Sequence, residues 1–513
     1  MKYALGSGQM KAIDRYTIET VGIPAMVLME KAAMAVVRHT KELCSEKDTI
    51  LAVCGYGNNG GDGIAAARIL FMEGYRVAIT MVGEKERATK ETKQQLKIAK
   101  KLGIPMLRKV KWEEYTVIVD AVFGIGLART ITGEFRKVIE AINQSKASVV
   151  AIDVPSGVCA DDGKVLGIAV TADVTVTFGY QKLGCLLFPG SEYAGKVFVE
   201  DIGFAKGGLL EPPNRFYFDE TPEALLPVRQ KNSNKGTYGK VLVIAGSKNM
   251  SGAAYFAATA AYRMGSGLVR ILTAQENREI LQRQIPEAIL TTYETLEDGI
   301  SEADAEHIRE AVAWASVIVL GPGLGMSAMS AKIVNYVICE CKVPMVIDAD
   351  GLNIISRLMN EKVPSEEGVE GRIRYLAELL PAGTILTPHK KELSLLTGIS
   401  LADLVGCLID SSAPCTYNND LIYVKKDVRT IVSFGNSDYI NVSGNDGMAT
   451  AGSGDVLAGM IAGLLAQGEV PKMAAMSGCY LHGLAGDAAA KKKGPRSMLA
   501  SDILDAIPEV LLS

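Results

Sequence analysis

Apolar segments that end in a glycine-rich turn recur along the whole 513-residue chain, and each is followed by a stretch with helical composition. They lie at 50–54, 117–121, 148–152, 240–244, 314–320 and 343–347. Short apolar runs bounded by glycine are typical of buried strands, and the intervening stretches are long enough for crossover helices. The repetition therefore predicts an α/β fold in which helices cover both faces of a mainly parallel sheet.

One region interrupts this pattern. Residues 205–229 contain two adjacent glycines and four prolines, which break any helical or strand periodicity. We interpret residues 212–229 as a link between a first domain, 1–211, and a second domain, 230–513. A chain of this length also suits more than one hydrophobic core. No fixed-period repeat relates the two halves.

Composition narrows the choice of partners and compartment. A net charge of −4 with mixed signs argues against nucleic acid as the main partner. No apolar run reaches the ~18 residues that span a bilayer, and the N-terminus lacks a signal sequence. The nine cysteines show no paired CxxC pattern, and Cys339 and Cys341 are expected on opposite faces of a strand. We therefore expect reduced thiols, no membrane contact and a cytoplasmic protein.

The most specific segment is residues 443–459, with the sequence SGNDGMATAGSGDVLAG. The apolar, alanine-rich run that begins at Val456 predicts a helix behind a glycine turn. Gly452 and Gly454 allow several N–H groups to point one way, and the helix N-terminus adds to a site for phosphate or developing negative charge. Asp455 is placed there to accept a proton from a hydroxyl that attacks phosphorus. An aspartate that merely caps the helix is the simpler alternative, and the length of the pattern favours the site.

A second glycine-rich turn follows the apolar run 50–54. Gly55, Gly57 and Gly60 satisfy G-x-G-x-x-G, but a dehydrogenase would need an acid at the end of the next strand, where only Glu84 lies beyond it. The segment 58–63, NNGGDG, predicts a loop that gathers amide oxygens and main-chain groups around a ligand or cation, with a helix from Ile64 to Met72.

Polar residues also follow the next two apolar runs. Asp120 ends one run, and Asp153 and Ser156 follow another. Each acid alone could simply form a turn. Because ligands of open α/β sheets bind beyond the carboxyl ends of the strands, several polar residues at successive strand ends together with Asn58 and Asn59 predict a ligand site.

Two resemblances sharpen this picture. The spacing from Asn445 through Met448, Thr450 and Gly452 to Asp455 resembles the catalytic signature of ribokinase-like folds, most closely that of the ADP-dependent NAD(P)H-hydrate dehydratases. Residues 9–204, with the motifs GIP at 22–24, LME at 28–30, NNGGDG at 58–63 and FGYQKLG at 178–184, resemble the NAD(P)H-hydrate epimerase domain. The resemblance implies an α/β chain of two domains, an N-terminal Rossmann-like and a C-terminal ribokinase-like α/β/α sandwich.

The implied function is repair of a nicotinamide nucleotide that has taken up water across C5 and C6 of its ring. The first domain would interconvert the R and S hydrates, NADHX or NADPHX. The second would dehydrate the S form to NAD(P)H while ADP becomes AMP and phosphate. A homo-oligomer is expected.

For the first domain, interconversion at C6 needs an acid/base close to that carbon, and Asp153 is the residue that we expect to supply it. The resemblance implies that the hydrate contacts Asn58, Asn59, Gly60, Gly61, Asp62, Gly124, Ile125, Gly126, Leu127, Ala128 and Asp153. A potassium ion is expected at Asn59, Asp120 and Ser156, since hard cations take oxygen ligands. Tyr56 stands where the family usually has proline.

For the second domain, Asp455 is the implied catalytic base. The residues expected to face the hydrate are Ala253, Gly323, His389 and Asp455. Those expected to face the nucleotide, which magnesium accompanies, are Lys426, Asp427, Val428, Arg429, Thr430 and Gly454. Lys391 precedes Glu392 where the family usually has glycine, and Lys426 lacks the following glycine of many relatives. His482 is expected to be a packed, hydrogen-bonded helical histidine.

Two alternatives stay open on the sequence. The second domain could be a kinase for a vitamin-precursor alcohol that stops at the phosphorylated product. The first could be a non-catalytic binding module, since some relatives are described as lipoprotein-binding. Preference for ADP over ATP is not visible in the residues.

Overall fold

The computed structural model describes residues 1–294, 300–407 and 421–512. The chain forms two compact units, Tyr3–Arg215 and Met1–Lys2 with Phe216–Ser513, which we call the N-terminal and C-terminal units. Among the described residues, every helix is too short or too polar to cross a membrane. The prediction of two α/β domains is confirmed by the sheets and helices below.

The N-terminal unit is built on a parallel sheet. Its strands are β1 (Lys2–Leu5), β2 (Thr49–Cys54), β3 (Arg76–Met81), β4 (Met106–Leu107), β5 (Val117–Ala121), β6 (Ser148–Ile152), β7 (Val174–Phe178), β8 (Gln181–Lys182) and β9 (Lys196–Glu200). Seven of them lie in the order β4-β3-β2-β5-β6-β7-β9, all parallel, and β1 pairs with β8. Its helices are α1 (Ser7–Arg15), α2 (Ala25–Leu43), α3 (Asn58–Met72), α4 (Lys90–Lys101), α5 (Gly133–Gln144) and α6 (Leu183–Leu186).

Helices cover both faces of this sheet. Along β2, Ile50 and Ala52 lie in the core shared with α2 and α3, whereas Leu51 and Val53 lie in the core shared with α5. Successive strand residues point to opposite faces, so a strand covered on both sides must be apolar throughout. This explains why β2 is a continuous apolar run with no polar alternation.

The C-terminal unit has a longer, mixed sheet. Its strands are β10 (Arg215–Tyr217), β11 (Lys240–Ile244), β12 (Leu268–Ala274), β13 (Ile289–Tyr293), β14 (Val317–Leu320), β15 (Met345–Ile347), β16 (Ile385–Leu386), β17 (Ile422–Lys425), β18 (Ile431–Phe434) and β19 (Ser437–Ile440). They lie in the order β13-β12-β11-β14-β15-β16-β17-β18-β19-β10. Pairing is parallel from β13 to β17 and antiparallel from β17 to β19.

The helices of this unit are α7 (Ser251–Arg263), α8 (Arg278–Gln284), α9 (Glu302–Trp314), α10 (Ala328–Glu340), α11 (Asp350–Lys362), α12 (Gly368–Leu379), α13 (Lys390–Thr397), α14 (Leu401–Cys407), α15 (Ser453–Ala466), α16 (Pro471–Lys493) and α17 (Ala500–Leu511). α15 is buried along its whole length after the first turn and packs closely on α7. Gly463 permits this approach, since a Cβ there would lie 2.7 Å from Met264 Cβ and 2.8 Å from Ala261 O. The helix that follows the 443–459 segment is therefore a central element of the core.

The segment 58–63 is not the predicted loop. α3 begins at Asn58, after an extended Gly57, so these residues form its first turns. A Cβ at Gly60 would lie 1.8 Å from Gly55 O, and one at Gly61 would lie 2.5 Å from Met29 Cε. These two glycines are therefore required by close packing of the helix on the preceding turn and on α2, which sequence periodicity does not reveal.

The strand expected around Cys339 and Cys341 is also wrong. Cys339 lies in the last turn of α10, and Cys341 follows its end. The buried residues Met329, Ile333 and Val337 recur every four positions, which is the helical rather than the strand period. Both cysteines are free thiols, one exposed and one buried.

The stretch predicted as a link carries structure of its own. Residues 215–217 form β10, and Phe216, Phe218 and Leu225 are buried in the core of the C-terminal unit. From Phe216 onward the chain belongs to that unit. The domain boundary is thus best placed between Arg215 and Phe216.

Candidate active sites

A cavity of about 570 Å³ opens in the N-terminal unit at the carboxyl ends of its central strands. Of the predicted site residues, Asn58, Asn59, Asp62, Gly124, Ile125, Gly126, Leu127 and Asp153 line it. Gly60 and Gly61 are buried in the packed face of α3, and Ala128 is exposed. Most of the predicted hydrate residues therefore line one cavity, whereas Gly60, Gly61 and Ala128 are not among its lining residues.

Asp153 follows β6 and forms a buried ion pair. Its Oδ1 lies 2.8 Å from Lys182 Nζ, and the Lys182 side chain is 1% exposed. The same ammonium donates hydrogen bonds to Thr177 Oγ1 and Phe178 O. Asp153 has a φ of +66°, in the left-handed region that is uncommon for residues other than glycine, although aspartate adopts it more readily than most. The backbone thus holds the Asp153 carboxylate against Lys182 at the cavity wall.

Two further carboxyl groups share this cavity. Burial, together with the charge of Asp153, raises the pKa of Asp62 well above its usual range and raises that of Asp14. Three carboxyls near a single buried ammonium cannot all ionise freely. Burial therefore favours the neutral form of Asp62, while Asp153 is paired with Lys182.

Sequence reasoning assigned no role to Lys182 or Asp14. Lys182 lies in the quoted segment FGYQKLG, but no pattern in that segment shows its contact with Asp153. Asp14 lies on an ordinary amphipathic helix, α1, and only its position in the cavity marks it.

Asp120 and Ser156, predicted with Asn59 to hold a cation, form a separate buried group. Asp120 is fully buried and accepts hydrogen bonds from Ser156 N at 2.8 Å and from Ser156 Oγ at 2.6 Å. Burial raises the pKa of Asp120 to about 6. The Asn59 amide is buried beside Gly124, and its Nδ2 has no hydrogen-bond partner among the described residues.

The side chains of the predicted cation site can be compared with the ligands that a monovalent cation takes. A carboxylate, a hydroxyl and an amide supply the hard oxygen ligands that such an ion takes. A buried carboxylate held only by hydrogen bonds is a feature that a bound cation would compensate, whereas Asn59 Nδ2 is a donor and does not coordinate a cation. No group of three His, Cys, Asp or Glu side chains in the described chain could hold a transition metal instead. Asp120 and Ser156 thus supply oxygen atoms of the kind that a monovalent cation takes as ligands.

In the C-terminal unit, the predicted site residues follow neighbouring parallel strands. Gly323 follows β14, His389 follows β16 and Lys426 follows β17, so all three lie at the same edge of the sheet. The backbones of His389 and Lys426 pair directly. A Cβ at Gly323 would lie 2.8 Å from the Cβ of Ala253, so these two predicted residues are also neighbours.

The N-terminus of α15 faces the same edge. Gly452 precedes the helix with a φ of +91°, and a Cβ at Gly454 would lie 3.3 Å from Lys426 Nζ and 3.4 Å from Asp348 Oδ2. The first-turn N–H groups of a helix have no acceptor within the helix, so they remain available to an anion. The predicted anion site is therefore next to the strand-end residues, and Asp455 lies in the first turn of α15.

Hydrogen bonds fix the loop that leads into α15. Asp487 on α16 accepts one from Gly444 N at 3.0 Å and one from Asn445 Nδ2 at 2.9 Å. Asn445 Oδ1 in turn accepts one from Gly447 N. Asn445 in the signature thus serves to anchor the loop.

A group of acids surrounds one lysine at this edge. Lys426 Nζ lies 2.6 Å from Asp348 Oδ1, and Asp348 is 2% exposed. Burial and the charge of Asp348 raise the pKa of Asp455 to about 7, against the opposing effect of Lys426. A carboxyl that titrates near neutrality is suited to accept and return a proton.

The turn that presents Asp348 is strained. Ala349 has a φ of +48° and a ψ of −118°, which an alanine rarely adopts. The next residue, Asp350, accepts a hydrogen bond from Gly325 N at 2.7 Å. Sequence reasoning assigned no role to Asp348 or Asp350, although an acid after an apolar run is the signal that identified Asp153.

His389 begins α13 and is held by a reciprocal cap. Its Nδ1 accepts hydrogen bonds from the N–H groups of Lys391 and Glu392, and the Glu392 carboxylate accepts one from His389 N. Burial, and then the charge of Lys426, lowers the pKa of His389. Lys391 contributes only its backbone to the cap, so its departure from the usual glycine leaves the cap intact.

The remaining residues of the predicted nucleotide segment make other contacts or are exposed. Asp427 pairs with Lys390 at 2.7 Å, and Val428 is exposed. Arg429 Nη1 donates a hydrogen bond to Val442 O, and Thr430 O accepts one from Asn441 N. Of this segment, Lys426 is the residue that the structure places beside Gly454.

His482 is packed and hydrogen-bonded, as predicted. It lies on α16, is 7% exposed, and its Nε2 is 3.4 Å from Ser453 Oγ. Burial lowers its pKa to about 4.

Comparison with known proteins covers both units. Residues 241–509 match a family model described as NAD(P)H-hydrate dehydratase, and residues 25–184 match one described as YjeF-related protein N-terminus. The bifunctional NAD(P)H-hydrate repair enzyme Nnr of Thermofilum pendens is 35% identical over 98% of this chain and 95% of its own. That of Moorella thermoacetica is 34% identical over 99% and 96%. A solved ADP/ATP-dependent NAD(P)H-hydrate dehydratase from Bacillus subtilis, co-crystallised with ATP and Mg²⁺, is 27% identical over 58% of this chain and 97% of its own, with a TM-score of 0.47.

Proposed function

This chain belongs to the bifunctional NAD(P)H-hydrate repair enzymes, which combine epimerase and dehydratase activities, and on that premise we propose which residues carry out each reaction. The C-terminal unit dehydrates the S hydrate with Asp455 as general base and ADP as phosphoryl donor. The observation that carries this assignment is the position of Asp455 in the first turn of α15, beside Gly454, with a pKa of about 7.

The dehydration proceeds in two steps. The C6 hydroxyl oxygen attacks the terminal phosphorus of ADP, its proton passes to Asp455, and the bond between that phosphorus and its bridging oxygen breaks to release AMP. The ring nitrogen then expels phosphate from C6, and the C5 proton leaves to the departing phosphate. The C5=C6 bond of NAD(P)H is restored. Phosphorylation by ADP thus replaces hydroxide, which is a poor leaving group, by phosphate, which is a good one.

Residues of this unit divide between the two substrates. Ala253, Gly323 and His389 are assigned to the hydrate, and the N–H groups at Gly454 to the transferred phosphoryl group. Magnesium would be held chiefly through the nucleotide phosphates, since the described chain has no three-residue metal group, and it would neutralise phosphate charge. The acids at the strand ends are suited to bind its water ligands.

The N-terminal unit epimerises the hydrates at C6. Asp153 is the acid/base, Lys182 orients it through their ion pair, and Asp62 holds a proton that the ring can receive. The α3 N-terminus and the loop 124–127 contact the nucleotide. Asn59, Asp120 and Ser156 would hold potassium, whose charge compensates the buried Asp120 carboxylate.

A single experiment tests the dehydratase assignment. Purified Asp455→Asn protein is mixed with S hydrate and ADP, and recovery of the dihydronicotinamide absorbance is followed. The rate should fall ~10²–10⁴-fold, the usual contribution of a positioned base. Asp446→Asn changes an exposed acid of the same loop and should leave the rate unchanged. A folded Asp455→Asn protein with near-normal kcat would remove Asp455 from the mechanism. A stable phosphorylated product without recovered NADH would favour the kinase alternative.

A further inference from the structure

Lys426 and Asp348 form an ion pair next to the proposed base. Lys426 ends the parallel series at β17, its backbone N donates to Pro388 O, and its Nζ lies 2.6 Å from Asp348 Oδ1. A Cβ built on Gly454 would lie 3.3 Å from Lys426 Nζ and 3.4 Å from Asp348 Oδ2. The pair therefore borders the first turn of α15, where the transferred phosphoryl group is expected.

The neighbouring residues in sequence do not share this position. Asp427 pairs with Lys390, and Arg429 contacts the carbonyl of Val442. The Lys426 side chain instead turns to the acids at the strand ends.

Three charged groups among the described residues act on the ionisation of Asp455. Asp348 and Asp350 oppose its ionisation, and Lys426 favours it. Burial opposes the charge on Lys426, but Asp348, Glu392 and Asp455 outweigh it and raise the lysine pKa. Lys426 is therefore held as an ammonium ion among the carboxyl groups of Asp348, Glu392 and Asp455.

We propose that Lys426 is a catalytic residue that contacts the oxygens of the phosphoryl group in flight, with Asp348 as the residue that positions it. This rests on the proposed dehydratase function. As the C6 oxygen bonds to phosphorus and AMP departs, negative charge spreads over the phosphoryl oxygens. An ammonium fixed beforehand by Asp348 stabilises that charge without reorganising. The proton still goes from the C6 hydroxyl to Asp455.

The test measures kcat/KM for S hydrate against pH, with saturating ADP. Lys426→Met should lower kcat ~10²–10³-fold, the cost of losing a charge donor at the reacting group. It should also move the midpoint of the pH profile upward by about one pH unit, because a cation that favours the ionised base is gone. Asp348→Asn should move the midpoint downward, because a neighbouring negative charge is gone. The titration of ADP itself is common to all variants and cancels in the comparison.

Two more variants complete the design. Lys426→Arg keeps the charge and should keep the wild-type midpoint while losing part of kcat, since a guanidinium has a different shape. Lys362→Met removes an exposed lysine at the end of α11 and should change nothing.

The outcomes separate the two proposals. Opposite midpoint shifts support the role of the pair. An unshifted midpoint in both Lys426→Met and Asp348→Asn, with only the KM for ADP raised, would make Lys426 a simple nucleotide contact and overturn the inference while Asp455 stays the base. If Lys426→Met does not fold, an unshifted Asp348→Asn profile overturns it alone. Full activity of Asp455→Asn would instead refute the proposed function.

Discussion

Gly60→Ala is expected to damage the N-terminal unit selectively. The added Cβ would lie 1.8 Å from Gly55 O, and real Cβ atoms essentially never come within 3.0 Å of such an atom, so the start of α3 must move by about 1.2 Å. The atoms that the new Cβ would meet are all backbone atoms of Gly55, so no side-chain rotation relieves the overlap. Overpacking of this kind costs ~1–3 kcal/mol, and we expect the upper end. In a domain of this size that lowers Tm by ~6–12 °C.

The same movement should impair epimerisation, because α3 carries Asn58, Asn59 and Asp62 into the cavity. Misplacement of reacting groups by about 1 Å can cost ~10²-fold in rate. The assay supplies R hydrate with excess ADP, so that NADH forms only after epimerisation, and S hydrate serves as the internal control for the other unit.

The matched control is Gly57→Ala in the same turn. Gly57 has an ordinary φ of −79° and open space around a Cβ, so its Tm should change by less than ~4 °C, the effect of ~1 kcal/mol. Wild-type Tm and R-hydrate turnover in Gly60→Ala would refute the view that packing, rather than chain turning, requires this glycine.

Asp153→Asn should stop NADH formation from R hydrate but not from S hydrate, whereas Asp120→Asn should weaken potassium activation and recover partly with more salt; the reverse pattern would exchange the two roles. A fragment 216–513 should unfold cooperatively, while 230–513, which lacks three buried core residues, should be less stable or insoluble; equal stability would show that β10 is dispensable. Because the folded pKa of His482 is about 4, below its ordinary value, the neutral ring contributes stability above pH ~6.5 that is lost as pH falls toward 4, ~3 kcal/mol in all. Thermal unfolding of His482→Gln should therefore depend less on pH in this range than that of the wild type, and an equal dependence would contradict the assignment.

The fold was largely predictable because it depends on local patterns. Apolar runs followed by glycine located β2, β5 and β6, and the run from Val456 located α15. The sequence pattern missed the start of α3 because Gly60 packs against Gly55 and Gly61 packs against Met29. Hydrophobic periodicity carries no information about such contacts.

The sites were predictable only in part. Asp153 and Asp455 stand beside glycine or proline turns that are conspicuous in the sequence; Asp153 lines the N-terminal cavity, and Asp455 lies in the first turn of α15. Lys182 and Lys426 acquire their positions through ion pairs with residues far away in the chain. Such pairing depends on strand order, which the sequence pattern does not specify.

The strained backbone of Ala349 has a consequence for directed evolution. Glycine adopts its φ of +48° without steric cost, so selection for thermal stability would favour Ala349→Gly whenever relief of strain exceeds the added chain entropy. The flanking residues are Asp348 and Asp350, whose carboxylates would then be less firmly held. A library screened for heat resistance alone would thus tend to accept substitutions at residue 349 that lower catalytic turnover. Each variant should therefore be screened for both thermal stability and activity.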